Sequence, residues 1–257
     1  MSHRELKNMI SIVTVNYNSK SDLEKTLSSI GSQNGNNHIE VIVVDGGSSD
    51  GSQRTVKEQF NNIVDIFISE KDNGIYDAMN KGIKSAKYNW IYFLNAGDCF
   101  ASDDVISKII ELIQNNTGYN FFYAPYISNG KVHNTQRLTI DYLASHMINH
   151  QSILFHKELF DEHIYDTTYR YCADYAHLLI TFDRLKSLKA DFVIANYDSN
   201  GISSSEANKS RMWKERLRAI IESKLPIMEK LLLSKRAIIA LPYHLLKGFI
   251  FSNERNK

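Results

Sequence analysis

Short, continuously apolar segments alternate with stretches of helical periodicity in the first hundred residues of this chain. Residues 10–15, 39–44 and 90–94 are rich in β-branched or aromatic side chains and are too short for buried helices, so we predict strands. Continuously apolar strands separated by helices indicate an α/β fold, with a mostly parallel sheet covered by helices on both faces. A further strand is expected near residues 63–68.

Polar residues stand directly after the predicted strands. Asn16 and Asp45 follow the first two, and Asp98 comes behind Gly97 in the segment WIYFLNAGDCF. The carboxyl ends of parallel strands meet at one edge of a sheet, where the binding crevice of such folds lies. We therefore expect Asn16, Asp45 and Asp98 to lie close together.

Taken singly, these carboxylates support more than one interpretation. Asp98 can hold a divalent cation whose other ligands are phosphate oxygens, because Mg²⁺ needs few protein carboxylates, or it can cap the turn before the next helix. Asp45 can accept hydrogen bonds from a nucleobase or ribose. The Gly/Ser stretch after Asp45 can also be an ordinary turn, and it lacks the Gly-Lys-Ser/Thr of a P-loop.

Composition limits the class of protein. With 257 residues, 43% of them apolar, the chain can form one large domain with an appendage. Cys99 and Cys172 provide neither a disulfide framework nor a zinc site, which favours a reducing compartment. Neither a signal peptide nor an apolar run of about 18 residues is recognisable. We therefore expect a cytoplasmic protein.

Charge divides the chain unequally. Residues 1–208 hold 18 Lys/Arg against 25 Asp/Glu, whereas residues 209–257 hold 12 against 4. The second segment mixes its lysines and arginines with many leucines and isoleucines, as a basic amphipathic helix does. Such a tail can lie on an anionic membrane surface, or it can pack on the preceding domain with its lysines in water. We favour membrane contact and expect no nucleic-acid binding.

Four segments occur in a fixed order between residues 10 and 98: ISIVTVNYNSKSDLEKTLSSI, IEVIVVDGGSSDGS, DNGIYDAMNKGI and WIYFLNAGD. Together they resemble the family 2 glycosyltransferases of GT-A fold, in the form common among bacterial polysaccharide transferases. The resemblance implies a Rossmann-like, mostly parallel sheet with helices on both faces, followed here by a C-terminal helical extension. It divides residues 1–208 into a nucleotide-sugar-binding half, 1–100, and an acceptor and base half, 101–208.

The resemblance also implies roles for individual residues. Asp45 would contact the nucleoside of a sugar nucleotide, and Asp98 would bind Mg²⁺ or Mn²⁺ on its diphosphate. Two departures from the commonest motifs are Gly46, where a second Asp is usual, and Asn95, which is left to hold a metal-bound water or a donor hydroxyl. The residues expected to bind substrate are Val15, Asn16, Tyr17, Asp45, Asp72, Asp77, Asn80, Asn95, Gly97, His150, Gln151 and Ser203.

The second half is expected to supply the catalytic base. By resemblance that base is Asp174, in the segment YRYCADYAHLL. Deprotonating an acceptor hydroxyl needs one positioned carboxylate. The alternative for Asp174 is a carboxylate that merely stabilises a helix N-terminus.

These observations predict an inverting glycosyltransferase. It would move a hexosyl or N-acetylhexosaminyl unit from a UDP-linked or other nucleotide sugar to a lipid-linked oligosaccharide of a bacterial O-antigen or capsule. We expect it on the cytoplasmic face of the inner membrane. The alternatives are a sugar nucleotidyltransferase, which would need a basic Gly-rich loop after the first strand, and a non-catalytic scaffold that binds sugar nucleotides.

Overall fold

The computed structural model describes residues 10–35, 38–198, 206–235 and 238. Strands and helices alternate through the first half, as predicted. The strands are β1 (Ile10–Asn16), β2 (Ile39–Asp45), β3 (Ile66–Ser69), β4 (Trp90–Phe93), β5 (Cys99–Phe100), β6 (Phe121–Tyr123), β7 (Tyr126–Ser128), β8 (Lys131–His133), β9 (Ile153–His156), β10 (Ser187–Lys189) and β11 (Ala195–Tyr197). The helices are α1 (Lys20–Gly31), α2 (Ser52–Gln59), α3 (Ile75–Ser85), α4 (Val105–Asn115), α5 (Ile140–Ser145), α6 (Ala173–Ile180) and α7 (Glu206–Glu222).

Seven strands form the main sheet in the order β10-β6-β9-β4-β1-β2-β3. Strands β4, β1, β2 and β3 pair in parallel, and so do β10 and β6. Strand β9 is the exception, because it runs antiparallel to both β4 and β6. The predicted mostly parallel sheet is therefore confirmed, with one antiparallel strand from the second half of the chain inserted at its centre.

The two faces of this sheet carry separate apolar clusters. In β1, Ile10 and Ile12 face one cluster, while Val13 and Val15 face the other. Helices α1, α2 and α4 cover the first face, and α3 and α6 cover the second. Because strand side chains alternate between faces, both sets of β1 side chains are buried, including the polar Ser11 and Thr14.

A second sheet of four short strands, in the order β5-β11-β7-β8, stands beside the main one. Strand β5 directly follows Asp98 and pairs antiparallel with β11. This pairing brings the backbone N–H of Asp198, the residue after β11, to the side-chain carboxylate of Asp98. The small sheet thus connects the end of β4 to a segment from much later in the chain.

Helix α7 is continuous across the predicted boundary between residues 208 and 209. Its Glu215 carboxylate accepts hydrogen bonds from the backbone N–H groups of Arg170, Tyr171 and Cys172, just before α6. The Arg216 guanidinium donates to Leu143 O over 2.8 Å. This part of the basic tail packs on the preceding domain, whereas residues 239–257 lie outside the described part of the chain.

Beyond α7, residues 227–235 are helical and expose a group of apolar side chains. The exposed members between residues 221 and 238 are Ile221, Ile227, Met228, Leu231, Leu232 and Ile238, which we call the apolar patch. Met228 is 72% exposed and Ile227 is 68% exposed. In the portion of the chain that the structure describes, none of the helices combines the length and hydropathy needed to span a bilayer.

Candidate active site

The loop between β4 and β5 is held in place by a threonine from α1. Thr26 is fully buried; its hydroxyl donates to Asp98 O over 2.7 Å and accepts from Gly97 N over 3.0 Å. Gly97 has φ +100°, a left-handed conformation that favours glycine. Gly97 thus lets the backbone turn at the end of β4, and the carboxylate of Asp98 is delivered to the edge of the sheet.

The Asp98 carboxylate is itself nearly buried. Its Oδ2 accepts from Gln151 Nε2 over 2.7 Å, and its Oδ1 accepts from Asp198 N over 2.9 Å. Burial raises the pKa of Asp98 to about 6, although both hydrogen bonds oppose that change. A carboxylate kept out of water in this way is stabilised in its ionised form by any cation that reaches it.

A chain of polar contacts leads from this loop to the predicted base. Asn95 Nδ2 donates to His150 Nε2 over 2.8 Å, and His150 Nδ1 lies 3.5 Å from Asp174 Oδ2. The two ring nitrogens of His150 thus face Asn95 and Asp174 respectively. Asp174 lies in the first turn of α6, and its Oδ1 accepts from Tyr76 Oη over 3.0 Å.

Asp45 requires a correction. Its carboxylate is fully buried, and its two oxygens accept hydrogen bonds from Asn16 Nδ2, the Ser48 N–H and hydroxyl, and the Ser69 hydroxyl. A carboxylate surrounded by four intramolecular donors does not face a ligand. Asp45 therefore holds the turn after β2 against Asn16, and the predicted direct contact with a nucleoside is not what this geometry provides.

A second aspartate, Asp72, lies beside the backbone that follows Asp45. Gly46 follows Asp45, and a Cβ at position 46 would overlap Asp72 Oδ2 and lie 3.2 Å from Tyr17 Cδ2. The carboxylate of Asp72 thus occupies the space that a side chain at position 46 would need. The Tyr17 ring beside it is 64% exposed. Asp72 and Tyr17, both predicted to bind substrate, meet over Gly46 at the rim of the sheet.

Asn80 and Val15, also predicted to bind substrate, make contacts within the fold. Asn80 is buried, and both ends of its amide are used by the backbone of Tyr165, as donor over 2.7 Å and acceptor over 3.0 Å. Val15 packs in the core, and its carbonyl accepts from Ala96 N. Asn80 and Val15 therefore maintain the fold, and their contacts with a substrate stay predictions.

The remaining predictions have different outcomes. Asp77 accepts from Asn73 N over 3.0 Å and lies 3.7 Å from Lys81 Nζ, so it holds the loop before α3, and its contact with a ligand stays a prediction. Ser203 lies outside the described residues. His150, Gln151, Asn95 and Gly97 do lie around Asp98 or Asp174, as expected.

Three residues that sequence reasoning missed belong to this site. Thr26, Tyr76 and Asp198 each hold one of the functional segments. None of them follows one of the strands predicted at residues 10–15, 39–44 and 90–94. Tyr76 directly precedes Asp77 within the quoted DNGIYDAMNKG motif, so its place in that motif was the one available signal. Asp198 becomes visible only through the pairing of β5 with β11.

The donor atoms around Asp98 fit a hard divalent cation. Among the described residues there is no group of three His, Cys, Asp or Glu side chains that could hold a metal. The side-chain oxygens of Asn95 and Gln151, however, are buried, and neither has a hydrogen-bond partner within the described ranges. Carboxylate and amide oxygens are the ligands that Mg²⁺ and Mn²⁺ prefer, so these side chains could hold such an ion.

Comparison with known proteins places this geometry in a family. The model of glycosyl transferase family 2 matches residues 11–177, which include both Asp98 and Asp174. The chain belongs to glycosyl transferase family 2. The resemblance inferred from the four sequence segments is thereby confirmed.

Relatives of this family member align over different shares of their length. An uncharacterised glycosyltransferase of Mycobacterium tuberculosis is 34% identical over 104 residues, which are 40% of this chain and 39% of that protein. A PGL/p-HBAD biosynthesis glycosyltransferase of Mycobacterium bovis is 28% identical over 204 residues, 75% of this chain and 78% of that protein. The match thus spans about two-fifths of the length of the first of these relatives.

Solved structures share the fold of this family member. Residues 1–349 of TarS of S. aureus, in complex with UDP-GlcNAc, superpose with a TM-score of 0.70 at 14% identity, over 86% of this chain and 69% of that chain. A mannosyltransferase of Pyrobaculum calidifontis, in complex with GDP-Man and Mn²⁺, also gives 0.70 at 17% identity, over 94% of this chain and 73% of the other. At such identities the likeness supports the GT-A fold alone.

Proposed function

We propose that this protein is an inverting glycosyltransferase that uses a nucleotide-diphosphate sugar, with Asp174 as the general base. One observation carries the proposal: the adjacent residues His150 and Gln151 contact Asp174 and Asp98 respectively. Two carboxylates from distant parts of the chain are thereby brought to the two sides of one dipeptide. One of them suits a cation on a diphosphate, and the other suits proton removal.

The donor side of the proposal is built from Asp98, Asn95 and Gln151. A divalent cation held there would neutralise negative charge on the departing diphosphate. The mannosyltransferase of Pyrobaculum calidifontis binds Mn²⁺ together with GDP-Man, which supports a divalent cation here. We propose a UDP-linked hexose or N-acetylhexosamine as donor, and TarS with its UDP-GlcNAc supports that choice.

The base side of the proposal is Asp174. Its Oδ1 already accepts from Tyr76 Oη and from Tyr175 N, whereas the nearest polar group to Oδ2 given by the structure is His150 Nδ1 at 3.5 Å. Oδ2 would take the proton of an acceptor hydroxyl while the oxygen of that hydroxyl forms a bond to the anomeric carbon of the donor sugar. The bond from this carbon to the diphosphate breaks, and its electron pair leaves with the nucleoside diphosphate. General-base catalysis of this kind contributes about 10²–10⁴-fold.

We further propose a lipid-linked oligosaccharide of bacterial O-antigen or capsule synthesis as acceptor, met at the cytoplasmic face of the inner membrane. The apolar patch supports this, because its exposed side chains stand among Lys224, Lys230 and Lys235. Apolar side chains flanked by lysines fit the boundary between acyl chains and anionic headgroups. The basic residues beyond position 238 add to the same charge.

Turnover measurements test the catalytic proposal. The purified protein is incubated with Mn²⁺, one of UDP-glucose, UDP-galactose, UDP-GlcNAc or GDP-mannose, and undecaprenyl-diphosphate sugars, and the release of nucleoside diphosphate is followed. Asp174→Asn should lower kcat by about 10²-fold or more and keep donor affinity. The exposed aspartate variant Asp191→Asn is the control. Donor binding by the wild type without turnover of any pair would favour the non-catalytic scaffold instead.

Vesicle sedimentation tests the membrane contact. Full-length protein should sediment with vesicles containing phosphatidylglycerol more than with pure phosphatidylcholine. The double variant Ile227→Ser/Met228→Ser should lose this binding, whereas Val132→Ser, at another exposed apolar side chain, should keep it. Equal sedimentation of all three proteins would contradict a role for the apolar patch.

A further inference from the structure

The hydroxyl of Tyr76 connects the helix of the donor half to the candidate base. Tyr76 lies in the first turn of α3, 98 positions before Asp174, and its Oη donates to Asp174 Oδ1 over 3.0 Å. We propose that Tyr76 is a positioning residue that keeps the carboxylate of Asp174 turned so that Oδ2 faces the acceptor. This inference rests on the proposed function of Asp174.

The two oxygens of Asp174 are not equivalent. Oδ1 receives two hydrogen bonds, from Tyr76 Oη over 3.0 Å and from the backbone N–H of Tyr175 over 2.8 Å. Rotation of the carboxylate about its Cβ–Cγ bond would break both. Oδ2 is therefore the oxygen that stays available, and it lies on the side of His150. Of the two donors only the Tyr76 hydroxyl comes from a different element, so it ties α6 to α3.

Tyr76 is suited to remain a donor. Its side chain is nearly buried, and this burial, together with the charge of Asp174, raises the pKa of Tyr76 well above its usual value. The phenol therefore keeps its proton over the whole range in which a carboxylate can act as a base. An alcohol or water at this place would be free to turn away, whereas the ring of Tyr76 is held among core residues.

A neighbouring tyrosine separates the effect of the hydroxyl from the effect of the ring. Tyr165 is also buried, and its ring centroid lies 5.5 Å from that of Tyr76. Its hydroxyl, unlike that of Tyr76, has no hydrogen-bond partner among the residues the structure describes. Tyr165→Phe is therefore a matched control for Tyr76→Phe, because each removes one buried hydroxyl and keeps the ring.

The first experiment measures hydrolysis of UDP-GlcNAc and of the other three donors with Mn²⁺, as release of nucleoside diphosphate, in the two phenylalanine variants. Tyr76→Phe should lower kcat about tenfold or more, as expected for a lost hydrogen bond to a charged group, with unchanged KM for the donor. Tyr165→Phe should match the wild type. Equal kcat in both variants would overturn the proposal.

A double variant distinguishes this inference from the proposed function. If Tyr76 acts through Asp174, Tyr76→Phe should lower kcat no further in a protein that already carries Asp174→Asn. Full activity of Asp174→Asn would overturn the base assignment and this inference with it. A loss in Asp174→Asn without any loss in Tyr76→Phe would overturn this inference alone.

The contact can also be tested without turnover. Urea unfolding midpoints of Tyr76→Phe, Asp174→Ala and the double variant should be non-additive, because either single substitution already removes the shared hydrogen bond. Strictly additive midpoint shifts would overturn the proposal even where hydrolysis is too slow to measure.

Discussion

Gln151 Nε2 donates a hydrogen bond to Asp98 Oδ2 over 2.7 Å, although the two residues are 53 positions apart. The residue before Gln151 is His150, which contacts Asn95 and Asp174. A single dipeptide thus touches the loop after β4 and the first turn of α6. We expect changes at Asp98 and at Asp174 to be separable, since the first acts on donor binding and the second on proton transfer.

Metal-dependent donor binding should respond to pH through Asp98. Burial raises the pKa of Asp98 to about 6, and a proton on its carboxylate competes with a cation. Calorimetry of UDP binding with Mn²⁺ should therefore show an affinity that is level above about pH 7 and falls about tenfold per pH unit well below 6.

Asp98→Ala should abolish the part of UDP binding that depends on Mn²⁺. The exposed aspartate variant Asp183→Ala is the control for a lost negative charge. Retention of the Mn²⁺ effect in Asp98→Ala would show that the cation is held elsewhere.

Thr26→Val should lower the free energy of unfolding by about 1–3 kcal/mol, since it leaves buried partners of the hydroxyl unpaired. The loop that carries Gly97 and Asp98 would lose its anchor on α1, so Mn²⁺-dependent UDP binding should weaken as well. Thr14→Val is the matched control, because the Thr14 hydroxyl is equally buried but lacks a hydrogen-bond partner among the described residues. Urea unfolding should show little change for Thr14→Val, and equal losses in both would contradict the anchoring role.

Gly46→Ala should weaken UDP binding with little effect on the thermal midpoint. The new methyl group would overlap the carboxylate end of Asp72 and crowd the Tyr17 ring. The side chains of Asp72 and Tyr17 can move aside at low cost, and this movement takes them away from the proposed UDP site. Gly118→Ala is the control, since a Cβ at position 118 meets no atom within 4 Å. An unchanged UDP dissociation constant in Gly46→Ala would exclude Asp72 and Tyr17 from donor binding.

His177 should make the protein less stable in mild acid. Burial lowers its pKa from 6.5 to about 4, so the unfolded chain binds a proton between these values while the folded chain does not. His177 by itself should therefore contribute a rise in the free energy of unfolding from about pH 4 to 6.5, on the order of 3 kcal/mol. Asp98 opposes this, because its raised pKa makes the folded state bind more protons between 3.8 and about 6.

The contribution of His177 is isolated by comparing variants. His177→Phe keeps an aromatic ring against Phe160 but cannot titrate. Urea unfolding at several pH values should show the free energy of unfolding falling between pH 4 and 6 for His177→Phe, because the Asp98 contribution then stands unopposed, and changing less for the wild type. The same pH slope in both proteins would rule out this origin.

The strands of the first half could be predicted because burial on both faces imposes an unmistakable pattern. Asp98 and Asp174 were predicted from motifs, and the same dipeptide contacts both, but their roles as metal ligand and base stay predictions. The orientation of Asp45 could not be predicted, since an aspartate at a strand end can turn outward to a ligand or inward to serines. Ser48 and Ser69 decide between these, and Ser69 reaches Asp45 only through the pairing of β2 with β3.

Contacts between distant segments could not be predicted for Asn80 or for the C-terminal tail. The role of Asn80 depends on the backbone of Tyr165, 85 positions away, and helical periodicity carries no information about that partner. The tail was separated from the domain because its charge changes sharply near residue 209. Charge composition does not show which residues are paired, and Glu215 and Arg216 bind backbone groups of the preceding domain.

Strand β9 has a consequence for how this protein could be divided. It supplies the hydrogen-bonding partner of β4 from beyond residue 150, so a fragment ending near residue 100 would leave β4 with unsatisfied backbone groups along an open apolar edge. Such edges pair readily with other chains. Residues 1–100 are therefore not expected to fold as an independent domain. Fusions or truncations that contain only these residues should aggregate unless they extend through at least β9.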